Sequence, residues 1–153
     1  MTHPLVTSVL AVLADQVTKH LARSYLAPHE PIPVLGSFFR LTYVENSGIA
    51  FGINFDGGPL IFTITSVVAT AVVIGYSWKL RNRELPLRLS LALIAGGAVG
   101  NVIDRLFFGK VVDFLDFSVA GFHWPVFNVA DSCVTVGIIL FLYHSFFGTS
   151  SSP

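Results

Sequence analysis

The charged residues of this chain fall in clusters, and long apolar runs lie between them. Residues 59–78 (PLIFTITSVVATAVVIGYSW) carry no charge, and neither do residues 132–153, whose core SCVTVGIILFLYHSFFG is apolar. Residues 89–103 form a third uncharged run, which extends back to Leu85 when Arg88 sits at an interface. Residues 5–14 are apolar and continue past Asp15 and Lys19 to Leu26. A helix that crosses a bilayer needs about 20 mostly apolar residues, so the pattern predicts four spans, at about 5–26, 59–78, 85–105 and 131–148. The first run is read as an uncleaved span: no Lys or Arg precedes it, and Asp15 follows it directly.

The segments 27–58 and 106–130 are too long and too apolar for simple turns. Residues 38–44 (FFRLTYV) and 111–117 (VVDFLDF) hold the β-branched and aromatic side chains that suit strands. Pro28, Pro31, Pro33, Gly36, Gly57 and Gly58 punctuate the first segment. Phe38, Phe39, Tyr43, Phe51, Phe55, Phe117, Phe122, Trp124 and Phe127 make both segments aromatic. Composition alone favours a belt at headgroup level, which is compatible with a small sheet on the membrane that shapes a lipid-facing pocket. The expected fold is a mainly α membrane protein, a single integral domain over 1–153, with a small sheet outside the bilayer.

Composition narrows the classes. The chain has 153 residues, nine Lys+Arg and nine Asp+Glu, and charged residues make up 12% of it, against roughly 25% in a soluble domain. Mean hydropathy is +0.72. Disorder requires the reverse balance, and nucleic-acid binding requires a basic excess that is absent. Cys133 is alone, so there is no disulfide framework. Lys79, Arg81, Arg83 and Arg88 cluster between the second and third spans, which places that connector on the cytoplasmic side. Both termini are then inside, and 27–58 and 106–130 are outside.

On this topology every acidic residue except Glu84 lies in the outer half of the membrane or beyond it. Asp104 ends the third span, Asp131 begins the fourth, and Asp113 lies between them. A charge at membrane depth costs about 2.5–3.5 kcal/mol on insertion scales, so such residues pair or line a wet cavity. Each also has a plain structural reading. Asp131 with Ser132 would cap the fourth helix, and Asp104 with Arg105 would form a snorkelling pair. Asp15 and Lys19, spaced i, i+4, would form a buried ion pair. Asp113 has no adjacent base, and Asp116, three on in the same strand-like run, faces the other side. Gly96, Gly97 and Gly100 would allow close helix approach. Cys133 lacks a nearby base, and His3, His20, His29, His123 and His144 lack metal-ligand spacing, so neither a metal nor a cofactor is expected. The competing class is a small transporter or proton-relay subunit using intramembrane Asp and Lys. Against it, the acids gather at one side rather than at the midplane.

Five segments, taken together, resemble bacterial lipoprotein signal peptidase (signal peptidase II). They are DQVTK at 15–19, NSGIAFG at 46–52, GGAVGNVIDR at 96–105, VVDF at 111–114 and FNVADS at 127–132. The resemblance implies four transmembrane helices with an extracytoplasmic β-cradle. It implies an aspartyl endopeptidase that cuts diacylglyceryl-modified prolipoproteins just before the lipidated cysteine, with Asp113 and Asp131 as the catalytic dyad. Asp15, Lys19, Asn46, Gly48, Asn101, Asp104, Arg105 and Asn128 match positions that line or support the family's site; Asp116 matches none. The implied setting is the bacterial cytoplasmic membrane, with the site near the outer face. The implied partners are prolipoproteins and membrane lipids, and the chain is expected to act as a monomer.

Overall fold

The computed structural model describes residues 2–27, 29–48 and 58–147. The element order is α1 (Thr2–Tyr25), β1 (Ile32–Leu35), β2 (Phe39–Asn46), α2 (Gly58–Lys79), α3 (Leu85–Phe108), β3 (Val111–Val119), β4 (Phe122–His123) and α4 (Val129–Phe147). The four apolar runs are the four helices. Three of these, α2, α3 and α4, are long and apolar enough to cross a membrane. The remaining one, α1, equals α3 in length at 24 residues, but it carries Asp15, Lys19 and Arg23 within it.

Helix α3 is the centre of the bundle, with α1, α2 and α4 packed on it. Its glycines explain the closeness. A Cβ on Gly97 would lie 2.4 Å from the Ala130 carbonyl oxygen of α4, and one on Gly96 would lie 2.8 Å from Ala11 Cβ of α1. A Cβ on Gly137 of α4 would meet the Ser90 oxygen of α3 at 2.8 Å. Small residues at helix crossings let backbones touch, and dispersion then replaces the hydrophobic drive that lipid does not supply. Outward positions such as Leu10, Val68 and Ile139 are exposed and apolar. The α3 helix ends at Gly109, whose φ of 72° makes the left-handed turn into β3.

The sheet is antiparallel in the order β1-β2-β3-β4. The expected strands 38–44 and 111–117 are β2 and β3, each longer at its far end. Two strands were not foreseen: β1, an edge strand that accommodates Pro33, and the two-residue β4. One face of β3 packs Val112 and Phe114 on Ala22 and Leu26 at the end of α1. Between Leu41↔Leu115 and Val44↔Asp113 the β2–β3 register gains one residue on β2. Opposite residues share a face, so this bulge puts Asn46 on the same face as Asp113; unbulged pairing would turn it away. The apolar stretch flanked by Gly48 and Gly52, which the sequence suggests as a loop closing over the site, falls in residues 49–57, and these lie outside the described residues together with the tail from Gly148.

Gly97→Ala is expected to destabilise the protein by about 1–3 kcal/mol through overpacking against a backbone carbonyl. Gly75→Ala in α2, where a Cβ meets nothing within 4 Å, is expected to leave the midpoint unchanged. Thermal unfolding in detergent measures both.

Candidate active site

The site begins with a charge that has no access to water. Lys19 of α1 is fully buried, as are Asp15 and Asp104. Its ammonium lies 2.9 Å from Asp15 Oδ2 and 3.4 Å from Asp104 Oδ2. Arg23, one further turn along α1, approaches Asp104 Oδ1 at 3.0 Å as an ion pair without hydrogen-bond alignment. Two cations thus face two carboxylates, the condition under which buried charge is tolerated. Gly100 makes room for this cluster, since a Cβ there would sit 2.5 Å from Asp15 Oδ2. Gln16 completes it, donating to Asp15, to the Gly100 carbonyl and to Asp104 at 3.1–3.2 Å.

The cluster ties three elements together. Asp15 Oδ1 accepts the Ala130 N–H at 2.9 Å, which anchors the start of α4 to α1. Asp104 accepts the Val112 N–H at 3.3 Å, which anchors β3 to α3. Asp104 therefore faces Lys19 and Arg23, which corrects the expected snorkelling pair with Arg105. Arg105 reaches the Asn101 carbonyl at 3.4 Å, and its Nε is buried without a hydrogen-bond partner among the described residues.

Three asparagines carry the order onward, each held by a neighbour that can only donate. The Lys19 ammonium donates to Asn101 Oδ1 at 2.8 Å, so the Asn101 NH₂ must turn outward, where it donates to Asp131 Oδ1 at 2.8 Å. The Gly48 N–H donates to Asn46 Oδ1 at 2.8 Å, and the Asn46 NH₂ donates to Asp113 Oδ2 at 3.0 Å. The Asp131 N–H donates to Asn128 Oδ1 at 2.9 Å, and the Asn128 NH₂ donates to Asp113 Oδ1 at 2.6 Å. Gly48 has φ 89°, and a Cβ there would fall 2.6 Å from Phe62 Cγ, so only glycine fits this turn.

Asn128 is the N-cap of α4, and Asp131 returns the contact, its Oδ2 accepting the Asn128 N–H at 3.3 Å. This reciprocal pairing is a capping box. It corrects the expectation that Asp131 with Ser132 would be the cap: Asn128 caps, and Asp131 stands three residues inside.

The two aspartates of β3 differ sharply. Asp113 is 3% exposed. Burial raises its pKa most, the Asp131 charge adds to this, and the Asn46 and Asn128 donors oppose it; the outcome is about 6. Asp116 is also buried, but hydrogen bonds from Thr42, Arg40 and His123 outweigh burial and hold its pKa below the ordinary carboxylate value. Asp113 and Asp131 are thus joined through Asn128, while Asp104 and Asp116 turn to other partners. An open cleft of about 400 Å³ further along the sheet is lined by Phe117, Val119, Phe122, Trp124 and Phe127. Phe117 shares the face of β3 that carries Asp113, about 13 Å further on. No group able to hold a metal ion occurs among the described residues.

Gln16 and Arg23 were missed as partners. Gln16 lies inside the DQVTK motif, and Arg23 repeats the i, i+4 step from Lys19, so the helical face already pointed to it. Lys19→Met is expected to cost about 3–5 kcal/mol, because it leaves Asp15 and Asp104 buried with too little compensation. Lys19→Met combined with Asp15→Asn is expected to cost less than the two single changes together, as measured by thermal unfolding.

The profile of the family described as Signal peptidase (SPase) II matches residues 7–147. The chain is similar to the lipoprotein signal peptidase of Moorella thermoacetica, at 46% identity over 89% of this chain and 87% of the relative. It is similar to that of Syntrophus aciditrophicus at 40% identity, over 88% and 86%. Among solved structures, two bacterial membrane enzyme structures obtained by the in meso method match at 30% identity. One has TM-score 0.80, covering 98% of this chain and 91% of the other. The second has TM-score 0.81, covering 95% and 94%.

Proposed function

The chain belongs to the signal peptidase II family and removes signal peptides from prolipoproteins, and we propose that it does so as an aspartyl endopeptidase with Asp113 and Asp131 as the dyad. The observation that carries this reading is the trio of asparagine amides aimed at these two carboxylates and, among the described residues, at no other acid. Two neighbouring carboxylates ionise together only at a cost, so the pair shares one proton. Burial of Asp113 favours keeping that proton on its side, although the titration belongs to the pair. The ionised member takes a proton from water, and the water attacks the scissile carbonyl. The protonated member supports the developing oxyanion and then protonates the leaving amine. A lipidated substrate excludes water from the site, which favours the protonated pair further. Arg105, whose Nε has no hydrogen-bond partner among the described residues, would hold a substrate carbonyl.

We read all four helices as membrane spans within one integral domain. The charges of α1 do not argue against this, because they are compensated inside the bundle. From Leu85 to Arg105, α3 rises about 30 Å, the thickness of the hydrocarbon core. The basic connector and the dyad therefore lie at opposite faces, with connector and termini cytoplasmic and the site outward. A diacylglyceryl-modified cysteine at the outer surface would bring its scissile bond to this level, with the aromatic cleft available to its acyl chains. We take the chain to act as a monomer in the bacterial cytoplasmic membrane.

Asp113→Asn and Asp131→Asn are each expected to reduce cleavage of a purified lipidated prolipoprotein by about 10²–10⁴-fold or more. The thermal midpoint of Asp131→Asn should stay near that of the parent, since asparagine retains a cap acceptor. Cleavage that survives either change overturns the dyad.

The pH profile has a defined sign. Raising the pH removes the shared proton, so kcat/KM falls on the alkaline side. Asn46 donates to the ionised form of Asp113, so Asn46→Ala is expected to move that alkaline limb to higher pH. A limb that stays in place or moves down contradicts the assignment.

A further inference from the structure

A groove of about 630 Å³ runs between α1 and α2 over α3, at the end of the bundle remote from the dyad. Along α3 it extends from Arg88 to Val99, about 16 Å by helix rise. That is roughly half of a ~30 Å hydrocarbon core, the depth of one leaflet. Its floor is made of small residues, Ala92, Ala95 and Gly96. Its cations are at one end only, where Arg81 and Arg88 line it together with Ser77. Arg81 is braced, its guanidinium 5.1 Å over the Trp78 ring and donating to the Trp78 carbonyl at 3.1 Å. Arg88 stands one helical turn into α3 from Glu84 and lines the groove opposite Ser77 of α2.

We propose that this groove binds one anionic glycerophospholipid of the cytoplasmic leaflet, its phosphate between Arg81 and Arg88 and an acyl chain along Ala92 and Gly96. Charge complementarity selects this occupant. Guanidinium groups pair with phosphate oxygens through charge-assisted hydrogen bonds, and the cytoplasmic leaflet is the anionic one. The signal peptide of the substrate is the wrong occupant, because its n-region is positively charged and would face two arginines. The lipid would fill the space between α1 and α2 and brace α1, which carries Asp15 and Lys19. The inference rests on the reading that the α2–α3 connector is cytoplasmic.

The test measures lipid retention rather than cleavage, so its failure leaves the peptidase reading standing. Purified full-length protein in a neutral detergent is titrated with phosphatidylglycerol or phosphatidylcholine, and bound lipid is counted by native mass spectrometry. Phosphatidylglycerol is expected to be retained at least tenfold more tightly and to raise the unfolding midpoint more. The double change Arg81→Gln and Arg88→Gln is expected to abolish the preference. The double change Lys79→Gln and Arg83→Gln, which removes as much charge outside the groove, is expected to preserve it. Prolipoprotein cleavage in detergent reports that each variant is folded. Should the first pair fail to fold, Arg88→Gln alone is expected to weaken the preference several-fold. Equal retention of the two lipids, a preference that survives loss of the groove arginines, or equal loss in both pairs overturns the proposal.

Discussion

A lysine with no access to solvent organises this molecule. Lys19 reaches Asp15, Asp104 and the Asn101 side-chain oxygen from one position on α1. An uncompensated charge there would cost several kcal/mol, so the surrounding helices must approach closely enough to supply partners. Gly100 yields space to Asp15, and Gly97 lets α4 descend onto α3 so that the Ala130 N–H meets Asp15. The same ammonium fixes which end of the Asn101 amide turns toward Asp131. Packing, charge compensation and the orientation of a proposed catalytic carboxylate are thus consequences of one buried cation.

The two aspartates of β3 show how environment assigns roles to identical side chains. At Asp113 burial and the like charge of Asp131 outweigh the Asn46 and Asn128 donors and the more distant Lys19 charge, so its pKa rises to about 6. Asp116 meets Arg40, Thr42 and His123, and its pKa falls. The first arrangement favours the protonated carboxyl, and the second favours an anion held in the sheet. The bulge of β2 supports this difference, because it brings Asn46 to the Asp113 face.

Much of this was legible in the sequence, for stated physical reasons. Apolar runs set by the thickness of a bilayer located all four helices, and β-branched and aromatic composition located β2 and β3. The DQVTK, GGAVGNVIDR and FNVADS motifs pointed to the residues that the structure clusters. The remainder depended on tertiary geometry. Strand β1 is short and contains a proline, β4 has two residues, and the bulge leaves no mark in composition. Which of Asn128 and Asp131 caps α4 was not readable, since both residue types suit a cap. The partner of Asp104 was misjudged, because sequence adjacency favoured Arg105 whereas the helix turned Asp104 toward α1.

The central claim is that Asp113 and Asp131 form a proton-sharing pair, and infrared difference spectroscopy of the purified protein tests it most directly. A protonated carboxyl band should titrate well above the ordinary carboxylate range, vanish in Asp113→Asn, and titrate at lower pH in Asp131→Asn, where the like charge is gone. A band that persists in Asp113→Asn, or one that ignores the loss of Asp131, would contradict the account.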